Sequence, residues 1–596
     1  MRAFLLTGAM TLALLAGAAA QTAAPPTIAV VDENGVAVSR ARVFLQVQQP
    51  GTAAGTAMPT LRCQTDFNGH CSFPGLVAGA YQLRVEKEGF YALAQTNVQI
   101  APGSTVEAAI SHQQEVREVV NVRESPPAID PAQIGAQETI SGIEVIDIPY
   151  ATTNDFRNVL NYIPGVVQDS SGQPHVAGAE TYQTITLLDG FNVTQPANGQ
   201  LLVRVSTDAF RSIQVEPSRE PAEYGKGSGG VLSLHTGIGD DHFRFLATDF
   251  IPSVQEKHGL RFDEIVPRLT FSGPVIKGKV WFYDAFDGGF TNVVYTELPA
   301  GQDNDHILRL GNLFKVQTNV TSRDILTTSF LVNGLNDRYA GLSPLSPQLS
   351  NPKDAEGVYV TSVKNQHYFK GGELLETGFA FDQYNVRVTP YGTTSYTLNA
   401  VVGAGGNFYF GDETHARRWQ ELVNLFLPSH QWHGRHDFKV GVDVDRIAYD
   451  AKFARQPISF LGPAATDTLP SGESCLDAPQ TATFPCTRYA TFGPAPFHEQ
   501  YNAEVSAYAE DRWSVTNRLL IEPGVRLDWD EIVRHAEVAP RLAGTYVLDN
   551  GGTTKISAGI GLVYEETPIF LIARPYAGTR QDTFFSVSSI GCTTSC

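Results

Sequence analysis

The chain is patterned in twos along most of its length. Thr27-Ile28-Ala29-Val30-Val31-Asp32 and Ala41–Val47 alternate apolar and polar positions, and turns flank them. The same period returns in Lys279–Phe286, Thr377–Val388, Asp437–Val444, Val505–Asp511, Leu519–Leu527 and Thr554–Tyr564. Successive side chains of a strand point to opposite faces, so each run predicts a strand with two unlike faces. Thr377–Val388 breaks phase once, between the pair Phe379, Phe381 and the set Tyr384, Val386, Val388. That break predicts either a bulge or a slip of the apolar set onto the other face. The clear exception to the period is Phe156, Val159, Leu160 and Ile163, which share one face at helical spacing. Asn154 is a candidate cap for that helix, and Pro164-Gly165-Val166 ends it.

Between residues 25 and 112 the strands are short and evenly spaced, with turns at Glu33-Asn34-Gly35, Thr65–His70, Phe73-Pro74-Gly75-Leu76 and Gly89-Phe90. Such spacing predicts a small β-sandwich. Before it, Arg2, the apolar run Phe4–Gly17 and Ala18-Ala19-Ala20 ahead of Gln21 have the order of a secretory signal peptide over residues 1–20. Six cysteines fall into three close pairs, Cys63 with Cys71, Cys475 with Cys486, and Cys592 with Cys596. In an exported chain such pairs predict local disulfides, the first across a hairpin and the second in a long loop.

Charged residues are 18% of the chain and the net charge is −19, while Phe 33 and Tyr 22 keep it rich in aromatics. Aromatic content at this level argues against a disordered chain, and the negative balance argues against nucleic-acid binding. No long apolar run follows the N-terminus, so a helical membrane protein is excluded as well. Alternation alone fits a soluble all-β domain and a lipid-facing barrel equally.

Chemistry-bearing constellations are few. His112 and Glu115 have an H-x-x-E spacing with no peptidase domain after them, a match that chance alone supplies. His430, His433 and His436 surround Trp432; on one strand only His430 and His436 share a face, so a polar turn is expected in place of a metal site. No Walker-type loop occurs. The expectation is therefore no catalytic residue, no metal and no cofactor.

Thr65-Asp66…Gly69…Phe73…Leu76…Gly79…Tyr81…Leu83…Val85…Gly89-Phe90 resembles the carboxypeptidase regulatory-like domain, a non-catalytic transthyretin-like or carbohydrate-binding-like sandwich. Further on come Leu160…Ile163-Pro164-Gly165-Val166, Leu188-Asp189-Gly190, and Ala222-Glu223-Tyr224-Gly225…Ser228-Gly229-Gly230-Val231. In order and spacing these resemble the plug domain of TonB-dependent outer-membrane receptors, most of all the Oar-like group with an N-terminal regulatory-like domain. Tyr508-Ala509-Glu510-Asp511-Arg512-Trp513, Gly524-Val525-Arg526-Leu527-Asp528, Pro540–Gly544 and Ser557–Tyr564 are similar to barrel strands of the same receptors. The resemblance implies a mainly β chain. It would have a sandwich at 25–112, a TonB-box segment with an α+β plug at 113–237, and a transmembrane antiparallel β-barrel from 238 to 596. It also implies active uptake of a large ligand, such as a siderophore or oligosaccharide, with no covalent chemistry. The partners implied are TonB, outer-membrane lipid and an extracellular ligand. Glu118, Val119, Val120, Asn121 and Val122 are the candidate TonB box, followed by a linker rich in Pro, Ala and Gln. One departure stands out: Gly178-Ala179-Glu180 puts an acid where the family often has an arginine, which weakens any ionic latch through that position.

Residues 238–596 would leave about 16 residues per strand in a barrel of roughly 22 strands, too few for the long loops seen. The chain also ends at Thr593-Thr594-Ser595-Cys596 instead of in an aromatic-terminated strand. The expectation is an incomplete barrel in a C-terminally truncated chain. The rival readings are a surface binding or adhesion protein that has kept the architecture and an exported hydrolase.

Overall fold

A computed structural model describes residues 25–47, 60–87, 89–112, 137–148, 155–256, 259–399, 401–462, 469, 473–477, 486–495, 497–516, 518–548 and 554–585. The signal segment, Glu115, Glu118–Val122, Asn154 and the Cys592, Cys596 pair lie outside the described residues.

The first unit is a sandwich. One sheet places Thr27–Asp32 between His70–Ser72 and Thr105–Ile110; the other runs Leu61–Gln64, Arg42–Val47, Gly79–Glu86, Leu93–Ile100. Alternate residues of these strands, Ile28, Val30, Val43, Leu45, Leu83 and Val85 among them, meet in its core. Cys63 and Cys71 are bonded, with Cα atoms 6.2 Å apart. The bond is not the rung of a hairpin, which corrects the sequence reading. Cys63 pairs with Val43 in one sheet, and Cys71 with Ile28 in the other. The Asp66 carboxylate accepts hydrogen bonds from the Asn68 and His70 amides and turns the chain from one layer to the next. The disulfide therefore staples the two sheets.

The second unit is α+β. Its sheet runs in the order Phe191–Asn192, Thr184–Leu188, Gly230–Thr236, Phe210–Glu216, Glu138–Ser141. The helical spacing of Phe156 to Ile163 yields one short helix, Arg157–Leu160, then turns; all four apolar residues are buried. An earlier helix, Gly142–Asp147, has no apolar stripe to announce it. A capping box sets its start: Glu144 accepts from the Ser141 amide and hydroxyl, and Ser141 Oγ accepts from the Glu144 amide.

The third unit is a 16-stranded sheet whose path runs from Arg244–Thr248 to Lys555–Gly561, each strand antiparallel to the next. Its alternation is inverted relative to a soluble sheet. Along Arg435–Arg455, Phe438, Val440, Val442 and Val444 face outward and exposed, while Lys439, Asp443 and Asp445 face inward. Along His498–Ser514, Tyr501 and Val505 face out, and Asn502, Glu504, Ser506 and Glu510 face in and are buried. An apolar skin over a polar interior suits lipid outside and rules out the soluble alternative. The phase break in Leu374–Thr389 is a slip of face. Pairing with Lys353–Tyr368 is continuous, so Phe379 and Phe381 point outward while Tyr384 points inward, where its hydroxyl donates to Val193 O at 2.5 Å.

Connections at 277–279, 320–323, 369–373 and 515–518 are short and lie at one end of the sheet; the long ones, at 338–352, 390–409 and 456–497, lie at the other. Strands Gly403–Gly405, Tyr396–Asn399, Ile458–Leu461 and Cys486–Phe492 of the long connections join Arg580–Phe584, which follows the last wall strand, in a separate small sheet. Cys475 and Cys486 are bonded there, with Cα atoms 5.7 Å apart. In outer-membrane barrels short turns face the periplasm and long loops the outside.

The inversion makes a direct prediction. Val442→Arg on the outer face costs about 2–4 kcal/mol if it lies near the bilayer midplane and impairs membrane assembly, whereas the inward-facing Gln317→Ser does not. Heat-modifiable gel migration of membrane-extracted protein distinguishes the two.

Candidate functional site

The α+β unit sits against the inward face of the large sheet, and strand after strand of the wall reaches it. Tyr283 donates to Asp208 O, Asn333 to Arg204 O, Lys364 to Asp189 O, Tyr384 to Val193 O, Arg418 to Thr194 O and Arg541 to Pro221 O. An apolar zone is shared as well: Val145, Phe156, Leu160 and Ile213 join Leu313, Leu331, Val358, Tyr384, Ile447 and Tyr449 in one core.

The charged contacts concentrate on the segment from Glu223 to Lys226. Lys226 pairs with Asp445, lies 2.9 Å from Glu504 and 3.6 Å from Asp443. Burial alone would lower its pKa, but Asp445, Glu504 and Asp443 outweigh that and hold the ammonium well above the usual lysine range. Beside it, the fully buried Arg418 bonds the Glu566 carboxylate at 2.9 and 3.0 Å. Glu223 pairs with Lys439, and its amide donates to Glu510 at 3.1 Å. Arg526 donates to Glu223 O at 2.9 Å and pairs with Asp528 at 2.8 Å. Gly225 packs so close to the Arg526 side chain that a Cβ there would collide with it, and the buried arginine has nowhere to move. Glu216, one strand away, is pushed up to about 7: burial dominates, Arg40 opposes it, and Glu223 and Glu522 add to it.

A second ionic contact forms at the Leu188-Asp189-Gly190 turn, where Asp189 has φ 50° and Gly190 φ 97°. The Asp189 carboxylate accepts from the Thr236 amide and hydroxyl and from Lys315 at 2.8 Å. Burial pushes its pKa up, but Lys315 and Thr236 prevail and hold it at about 2. Nearby His235 is held down at about 4. Burial is the main cause, and Lys364, Lys87 and Lys315 add to it against Asp189.

Several comparisons converge on this architecture. Residues 27–113 match the carboxypeptidase regulatory-like domain, and residues 290–580 match the TonB-dependent receptor-like β-barrel. The chain carries a TonB-dependent-receptor barrel behind a carboxypeptidase regulatory-like domain. It is similar to the TonB-dependent transporter Oar of Myxococcus xanthus, with 22% identity over 87% of this chain and 60% of the relative. It thus spans about three fifths of that relative's length. Among solved structures it resembles the outer-membrane transporter YddB from Escherichia coli, with TM-score 0.54, 14% identity, and 74% of this chain and 62% of the other covered. It also resembles a mutant of the ferric enterobactin receptor PfeA from Pseudomonas aeruginosa, with TM-score 0.51, 16% identity, and 73% and 62% covered. The chain is an outer-membrane β-barrel protein; among the described residues no helix is long and apolar enough to cross a membrane.

The remaining residues singled out in the receptor's sequence fall as follows. Pro164-Gly165 turns the chain from the buried Ile163 into a hairpin of Val166–Gln168 with Pro174–Val176. Gly229 and Gly230 lead into the central strand Gly230–Thr236. Glu180 opens a 3-10 turn through a capping box with Gln183, and its amide donates to Gln183 Oε1 at 2.8 Å. His430 and His436 do not share one strand. They are cross-strand partners around a turn in which His433 has φ 49°. Both ring nitrogens of His436 are engaged, Nδ1 with Asp511 at 2.6 Å and Nε2 with Trp432 O at 2.8 Å. His112 Nδ1 binds the Glu33 carboxylate at 2.8 and 2.9 Å.

Sequence reasoning missed Lys226, Arg418, Lys315, Asp445, Glu504 and Glu566. A signal existed for some of them. Lys439, Asp443 and Asp445 alternate with Phe438, Val440, Val442 and Val444, all three in the inward phase.

Two outcomes follow for the receptor. Lys226→Ala strands Asp445 and Glu504 in a buried site and costs about 3–5 kcal/mol, read as a lowered unfolding midpoint; adding Asp445→Asn restores part of the loss. Protonation of His235 is favoured in the unfolded chain before the folded one. Stability it contributes is therefore fully present above about pH 6.5 and lost as pH falls toward 4. Thermal midpoints across that window decline in the wild type and flatten in His235→Gln.

Proposed function

We propose that this receptor takes up a large ligand through energy-coupled displacement of the α+β unit, which acts as a plug. The observation that carries this reading is the ionic seat of Glu223 and Lys226 inside a wall whose outer face is apolar. Cohesion of that kind is made of discrete ion pairs and hydrogen bonds, which a pull can break one after another, alongside the apolar zone that the unit shares with the wall. The candidate box Glu118–Val122 lies between the sandwich and the plug, on the chain that would transmit the pull. In this reading ligand binds the outer loops and the plug's outer face. The box then adds as a strand to TonB in the periplasm, and force derived from the inner-membrane proton gradient remodels the plug. No bond in the ligand is made or broken, so catalytic residues have no part. A ligand of the siderophore or oligosaccharide class fits a passage opened in this way.

Deleting Glu118–Val122 tests the coupling. Uptake of ferric siderophores and labelled oligosaccharides by cells expressing the deletion should fall to the level seen with a proton uncoupler, with surface binding unchanged. Uptake that survives the deletion overturns the reading.

A further inference from the structure

The sandwich does not hang free. It seats on the short-turn end of the sheet, and its Gly89 packs against the plug's Arg211 carbonyl, where an added Cβ would stand 3.7 Å from the oxygen. Asn34 donates to Gly239 O at 2.8 Å and accepts at its own carbonyl from Asn319 at 2.9 Å. Arg435 donates to Gln64 O at 2.8 Å, Ser429 to Asp66 at 3.2 Å, and Asn68 to Gly372 O. Phe67 packs on Phe426 with ring centroids 5.0 Å apart. These wall partners come from several successive turns of the same end, so the seat spans the mouth instead of gripping one hairpin.

From this seat Arg40 adds positive charge on the side of the plug's acidic groups. Arg40 has φ 56°, and Thr65 braces its turn: the Ala41 amide donates to Thr65 Oγ1 at 2.8 Å, and that hydroxyl donates to Val38 O at 2.7 Å. Burial alone would lower the Arg40 pKa, but the negative charges of Glu522 in the wall and of Glu216 and Glu223 in the plug outweigh it and hold the guanidinium above its ordinary range. Glu216 is nine-tenths buried, with one carboxylate oxygen that has no hydrogen-bond partner. Lys439 is already committed to Glu223. With the sandwich removed, the carboxylates at this point would face each other with less cationic charge between them.

We propose that the sandwich is an autoinhibitory clamp, holding the plug in the barrel through its seat on the mouth and through Arg40 as a positioning residue, and that it leaves this seat before the plug moves. The proposal rests on the plug reading above. The candidate box follows His112, the last described residue of the sandwich, far more closely than it precedes Gln137, the first of the plug. A pull there loads the clamp first.

The test uses neither TonB nor ligand, so failure of the uptake reading leaves it intact. The full-length gene product is placed in planar bilayers, and urea on the short-turn side is raised until conductance marks loss of the plug. Asp66→Cys with Ser429→Cys, oxidised, should raise the urea midpoint by about 1 M over the same variant reduced, with the wild type plus and minus reductant as control. Arg40→Glu should lower the midpoint, and Arg40→Lys should keep it near the wild type. Equal midpoints for the oxidised and reduced pair, or an unmoved midpoint in Arg40→Glu, overturn the proposal.

Discussion

Lys226 among Asp443, Asp445 and Glu504 is the contact on which the rest of the arrangement depends. A wall with lipid on its outer side must spend one phase of every strand on apolar residues. The other phase can then carry the polar groups that such a skin forbids. Where the interior is filled and water is excluded, charges there need charged partners, and the α+β unit supplies them. An unpaired carboxylate at Asp445, which is fully buried, would cost several kcal/mol. Wall and filling therefore specify each other. The apolar zone around Tyr384 and Ile447 adds cohesion, but apolar contacts alone do little to fix an orientation.

The same logic explains why Gly225 follows Glu223 and Tyr224. The backbone has to pass against Arg526 closely enough for the guanidinium to bond the Glu223 carbonyl. A side chain at that point would push the arginine off both Glu223 and Asp528. The motif is thus a statement about the distance between two backbones, made by a residue that contributes no functional group.

Much of this was legible in the sequence because period two survives any tertiary context. The strands and the sandwich follow from alternation, and the motifs around Leu188-Asp189-Gly190 and Glu223-Tyr224-Gly225 pointed to the family now matched by the barrel. Three features did not follow. Cys63 and Cys71 are eight residues apart, which reads as a hairpin, but the Asp66 turn changes layer, a fact with no local period. The phase break at Tyr384 admitted two explanations, and only the continuous register of the strand chose between them. The partners of Lys226 lie more than two hundred residues along the chain, where spacing carries no information about proximity.

The sandwich has its own mechanical consequence. Its last strand, Thr105–Ile110, lies parallel to its first, Thr27–Asp32, paired along its whole length. Tension leaving through the end of the last strand runs along that ladder instead of across it. Every rung is then loaded at once, because hydrogen bonds between parallel strands are evenly spaced along the pair. Peeling one rung after another, the cheap route by which sheets come apart, is closed to it. Under the pull proposed above, the sandwich would travel as a rigid body on a taut line, and what yields would be the surface it rests upon.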